Sequence, residues 1–235
     1  MDYINDYSDD RNKAWCIHCS TILSDAKTSK DHVPSKSLLE LPYPSDLPTT
    51  TICSACNNEF AADEEYFRVF IECVLTRSTD PKEHKNPRIE RALERNSVLK
   101  SKIESAKEFS DSVSGQNRIF WKPDAAAIKK VILKNARGHA FYELGEPMLD
   151  EPVHVWFQPL AHLAEQERFS FENPEGSFWP EVGSRMMTRM MTGQDMSGPW
   201  IDVQDEVYRY TVTQAGGLTV RTVLYEYLAT EVVWE

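Results

Sequence analysis

With Phe60 set at 0° on a helical wheel and each residue adding about 100°, Phe67, Phe70, Ile71, Val74 and Leu75 gather on its face. The stretch from Asn57 onward is therefore expected to be an amphipathic helix. On the same wheel Asp63 falls at about 300° and Glu64 at about 40°, inside the apolar arc, while Glu65 and Glu72 fall outside it. An inward carboxylate is costly unless it is paired or bound to a metal. Upstream, the stretch from Leu38 to Pro48 carries Pro42, Pro44 and Pro48 and reads as an irregular loop. Residues 78–96 are polar, contain Pro81 and Pro87, and read as a linker running into a charged helix. Ser97 to Phe109 and Pro123 to Arg137 are helical by pattern, the second opening on Pro-Asp and closing at Gly138. Met186, Met187, Met190 and Met191 recur at helical spacing, which suits core packing or an oligomer contact. Farther on, Tyr208 to Gln214 and Leu218 to Val233 alternate β-formers around Ala215-Gly216-Gly217, the signature of a hairpin, with Trp200 and Trp234 packing near it. The pattern implies an α+β chain in three segments, 1–75, 76–140 and 141–235.

At 235 residues, 41% of them hydrophobic and 27% charged, the chain is long enough for one generous domain or two modest ones. No apolar run reaches bilayer length, and the acidic start MDYINDYSDD lacks the architecture of a signal peptide. A cytoplasmic protein with no membrane partner is the expectation. The net charge of −11 is unfavourable for a nucleic-acid enzyme, but it is unevenly spread. Lys plus Arg against Asp plus Glu stand at 6 to 13 over residues 1–75, 15 to 8 over 76–140, and 5 to 16 over 141–235. A basic island thus lies between two acidic flanks. It includes Arg77, Lys82, Lys85, Arg88, Arg91 and Arg95, and can serve either as a phosphate-binding surface or as an ordinary solvated helical face.

Five cysteines cannot all pair as disulfides. Cys73 stands apart in an apolar stretch and reads as a buried free thiol. The other four form two C-x2-C pairs, Cys16/Cys19 and Cys53/Cys56. Each gap lets a tight knuckle aim two thiolates at one ion, and two knuckles complete a tetrahedron, so a structural zinc ion is expected. His18, inside the first knuckle, is expected to be exposed rather than a ligand.

Between the knuckles lies Lys30-Asp31-His32-Val33-Pro34-Ser35-Lys36, and Asn57-Asn58 follows the second directly. With these motifs, residues 15–75 resemble the HNH endonuclease family, in the branch patterned C-x2-C, D-H-x-P-x-K, C-x2-C-N-N. The resemblance implies a zinc-stapled ββα-metal nuclease module, followed here by a helical region and a C-terminal region containing a β-hairpin. It implies His32 as general base and Asp31 as ligand to one catalytic magnesium or manganese ion. Imidazole is a good base near neutral pH, and a carboxylate is a good ligand for a hard cation. Adjacent strand residues face opposite ways, so the two can share a site only where the strand ends or bends; Pro34 just downstream offers such a bend. The departures are specific. The family's middle Asn is matched best by Asp46, and no His lies between His32 and His84. Asn57, Asn58, Asp63 or Glu64 must then take the place of the third motif His. Lys36, Arg68 and Arg77 are the candidates for phosphate contact.

The function implied is metal-dependent hydrolysis of nucleic acid, DNA ahead of RNA. The alternative is a zinc-stapled module that binds nucleic acid or protein without chemistry. Residues 141–235, acidic and rich in aromatic residues, suit a protein partner or a homodimer contact better than a DNA clamp.

Overall fold

The computed structural model describes residues 3–110, 118–174 and 180–235. In chain order the elements are β1 (Thr28–His32), β2 (Thr49–Cys53), α1 (Ser54–Thr76), α2 (Pro87–Arg95), α3 (Ser97–Glu104), β3 (Lys107–Ser110), β4 (Arg118–Trp121), α4 (Ala125–Leu144), β5 (His154–Pro159), α5 (Glu165–Glu172), α6 (Arg185–Thr192), β6 (Met196–Ser197), β7 (Trp200–Gln204), β8 (Tyr208–Gln214), β9 (Leu218–Leu224) and β10 (Leu228–Trp234). Short 3-10 turns punctuate the loops. The chain is of mixed α and β type, as expected. It divides into two compact units, Met1–Phe60 with Ile132–Glu235, and Ala61–Val131.

In the first unit, β1 and β2 pair antiparallel, with Asp31 opposite Thr50 and His32 opposite Thr49. The loop joining them is irregular apart from one 3-10 turn at Lys36–Leu38, because its prolines withhold the donors that a strand or helix needs. Helix α1 follows β2 without a spacer and starts at Ser54, earlier than the apolar stripe indicates. Its first turn is built into the second knuckle, where the Cys56 N–H points at Cys53 Sγ at 3.4 Å. Cys16, Ile17, Ile52, Cys53, Cys56 and Phe60 pack into a small core around the cysteines.

The C-terminal part is one antiparallel sheet in the order β5-β10-β9-β8-β7-β6. The expected long second limb, Leu218 to Val233, is in fact two strands. Tyr225 and Glu226 take positive φ (55° and 45°) and turn the chain between β9 and β10, a break that uninterrupted apolar alternation conceals. The sheet meets α4 through a buried polar network. Arg189 Nε donates to both oxygens of Glu143 at 3.1 and 3.0 Å, and Tyr210 Oη donates to the same carboxylate at 2.5 Å. His139 stacks on Tyr210 with ring centres 3.7 Å apart and places Nε2 2.9 Å from Tyr208 Oη.

Two helix limits differ from the pattern. Ser97 to Phe109 is not one helix: α3 stops at Glu104, and Lys107 to Ser110 forms a strand paired with β4. The aromatic and β-branched residues of Arg118–Trp121 supply the ladder partner. Gly138 does not end a helix either; α4 runs through it to Leu144. A Cβ at Gly138 would sit 3.0 Å from Val33 Cγ2, so this glycine serves close approach rather than capping. The helix ends instead at Gly145, with φ of 77° and its N–H bonded to Phe141 O. In the methionine run only Met186 is buried, while Met190 and Met191 are exposed. In the second unit, Tyr66 stacks on Phe70, and Phe70 meets Trp121 edge-on. Cys73 is a buried free thiol there, as its apolar surroundings imply. Among the described residues no helix is long and apolar enough to cross a membrane.

Candidate functional site

The first knuckle is a tight turn closed at its base by a Trp15–Ile22 bridge. The Cys16 N–H donates to Thr21 O, the Ser20 N–H to Cys16 O, and Ser20 takes a φ of 60° to make the turn. The second knuckle joins the end of β2 to the first turn of α1. Together they bring the four sulfurs within 4.8 Å of one another, with Cys19 Sγ and Cys53 Sγ 3.6 Å apart. A tetrahedral zinc ion with bonds of about 2.3 Å needs sulfurs about 3.8 Å apart. The cage fits, and it can hold a zinc ion. Burial works against the Cys19 thiolate, but hydrogen bonds from Thr21 and the adjoining cysteines outweigh it and bring that thiol down to about 6. Burial pushes Cys16 and Cys56 up. Those two thiols need a cation to be deprotonated at neutral pH.

His18 is not exposed. Its ring lies edge-on to Phe60 at 4.9 Å, and neither ring nitrogen has a hydrogen-bond partner among the described residues. Burial, with the nearby charges of Lys134 and Arg137, holds it down to about 3. The two-residue gap says only that His18 lies between ligands; the packing of Phe60 against the knuckle decides where its ring goes.

Asp31 and His32 are the last two residues of β1, where the chain leaves the ladder. Asp31 is buried and His32 half-buried. Lys134 Nζ donates to Asp31 Oδ1 at 2.9 Å and to Ser35 Oγ at 2.9 Å, with only 2% of its side chain exposed. The next residue, Asn135, accepts the Ser35 N–H on Oδ1 at 2.8 Å. Arg137 Nη1 reaches His18 O at 3.3 Å and Nη2 reaches Asp150 O at 3.1 Å. The later turns of α4 therefore hold both the first knuckle and the turn after His32. Burial, then the positive charges of Lys36 and Lys134, keep the His32 imidazole below its ordinary range.

Sequence reasoning overlooks Lys134, Asn135 and Arg137. A signal was present: Asn135 falls within the Ile128, Val131, Ile132 stripe of α4, where a polar side chain must find a partner. Lys36 is exposed, with Nζ 5.3 Å from the centre of the Tyr43 ring. Asn57 is half-buried and Asn58 exposed, both in the first turns of α1. In the second unit, Asp63 pairs with Lys130 at 3.2 Å, Glu64 is half-buried, and Arg68 is buried against Glu72 at 3.1 Å. Arg77 is exposed just past the end of α1, with a φ of 58°.

A catalytic magnesium or manganese ion does not fit these residues. The Asp31 carboxylate is bonded to an ammonium, and so is that of Asp63. Among the described residues, the four cysteines are the one group of three or more His, Cys, Asp or Glu close enough to share an ion. Compared with family models, with curated proteins and with solved structures, the chain finds no match in any of the three.

Proposed function

We propose that this chain is a zinc-stapled nuclease of the HNH kind that hydrolyses a phosphodiester of nucleic acid, DNA ahead of RNA. The observation that carries the reading is His32, a half-buried imidazole at the end of β1 whose pKa is held below its ordinary range by burial and then by the positive charges of Lys36 and Lys134. A lowered pKa keeps the ring able to accept a proton at neutral pH, and nearby cations draw a phosphate towards it. The β1–β2 hairpin running straight into α1 across the cysteine cage adds support.

In this reading His32 takes a proton from water as the water oxygen attacks phosphorus. The bond to the leaving sugar oxygen breaks, and that oxygen takes up a proton from solvent. Lys36, exposed beside the imidazole, offsets charge on the phosphate. Zinc, when bound, fixes the hairpin and the start of α1; it supplies structure, not the nucleophile.

The test is incubation of purified, zinc-loaded protein with plasmid and with single-stranded RNA, each without added divalent ion, with magnesium, with manganese and with chelator. His32→Ala, at unchanged zinc content, is expected to lose about 10²–10⁴-fold in rate. If wild type and His32→Ala behave identically on every substrate, the enzymatic reading fails. The zinc-stapled binding module then stands, and the closure of Asp31 by Lys134 is the observation in its favour.

A further inference from the structure

In the nuclease reading Asp31, one residue before the base, would hold a divalent cation, yet here its carboxylate is paired with an ammonium of the chain itself. Lys134 Nζ has Asp31 Oδ1 and Ser35 Oγ each at 2.9 Å and lies 5.5 Å from the centre of the Phe60 ring. Asn135 clamps the Ser35 backbone from the same helix, and Gly138 packs against Val33, so the ammonium sits on a braced element. Magnesium gives up its waters reluctantly and keeps several of them in most protein sites. A buried ammonium already neutralises the same carboxylate at 2.9 Å, which removes the charge that would draw such a hydrated ion in.

We infer that Lys134 is a built-in replacement for the divalent cation at Asp31, and that the chemistry at His32 proceeds without added magnesium or manganese. Lys134 acts through Asp31 and Ser35 and does not touch substrate; it is a positioning residue. The second clause rests on the nuclease reading, whereas the first is a statement about metal binding and stands without it.

The experiment is a titration of zinc-loaded protein with Mn²⁺, followed by the electron paramagnetic resonance of the free ion. Manganese, low in the divalent affinity order, does not displace zinc from four thiolates. Wild type is expected to bind no Mn²⁺ at Asp31. Lys134→Met is expected to gain a Mn²⁺ site that wild type lacks, and Asp31→Asn/Lys134→Met to lose it again. Should Lys134→Met fail to fold, Lys134→Gln, which keeps hydrogen-bonding capacity towards Asp31 and Ser35, carries the titration. Stoichiometric Mn²⁺ binding by wild type that Asp31→Asn abolishes overturns the inference, and so does the absence of any gained site. In parallel, the wild-type hydrolysis rate is expected to be the same with and without magnesium; a strict requirement for magnesium also overturns it. If no substrate is cut under any condition, the nuclease reading fails, and the Mn²⁺ titration still decides the role of Lys134.

Discussion

At Cys53 the chain passes from a strand into a helix, and its sulfur meets Cys19 from the other knuckle and the N–H of Cys56. Replacing it with serine removes a soft ligand and leaves a hydroxyl in a sulfur-lined core. Cys53→Ser is expected to lose bound zinc, read by elemental analysis, and to melt at lower temperature, because binding energy at such a cage is folding energy. This part of the site was legible in the sequence, since each knuckle is a local spacing. The partner of Asp31 was not, because Lys134 lies 103 residues away and nothing near Asp31 announces it. Lys134→Ala, which takes the ammonium from a buried carboxylate, is expected to cost about 3–5 kcal/mol in denaturant unfolding. Replacing Lys134 by Met together with Asp31 by Asn removes both charges and should recover most of that loss.

Among the elements, α1 was legible because a long apolar stripe leaves little choice of period, and its start was misplaced because the second cysteine knuckle extends it upstream. Helix α4 shows the opposite difficulty. A glycine near the end of an apolar pattern resembles a stop, but Gly138 is there to let the helix approach Val33. The strand β3 was missed because four residues carry too little pattern to outweigh the helix before them. Ordinarily Gly→Ala inside a helix stabilises by up to about 1 kcal/mol. At Gly138 the new methyl would meet the stiff, buried Val33, and overpacking of this kind costs about 1–3 kcal/mol. Gly138→Ala is therefore expected to destabilise, and Val33→Ala in the same chain to restore stability. A double-mutant cycle by urea unfolding checks both.

Over the whole molecule, the C-terminal sheet and the later turns of α4 are joined by a buried network of ionisable and hydroxyl groups. Glu143 and Arg189 are both fully buried, so removing one partner alone, as in Arg189→Met, is expected to cost about 3–5 kcal/mol. His139 is buried at the same junction. Burial, with the charge of Arg189 nearby, holds it down to about 3, from an ordinary 6.5. Between those values the unfolded chain binds a proton that the folded chain refuses. Stability is complete above about 6.5 and declines as pH falls towards 3, with His18 adding to the same trend. Thermal midpoints measured from pH 7 to pH 5 are expected to fall in wild type and to fall less steeply in His139→Phe, which keeps the stack on Tyr210.

The separation between Asp31 and Lys134 also bears on how the chain is made. Synthesis runs from the N-terminus, and early segments can organise before later ones exist. All four cysteines of the cage are present once residue 56 has been added, whereas the ammonium that closes Asp31 arrives only with residue 134. On the ribosome the cysteines of the cage precede the clamp. A nascent chain halted between those points would carry all four cysteines and an Asp31 carboxylate still open to water and to any cation in it.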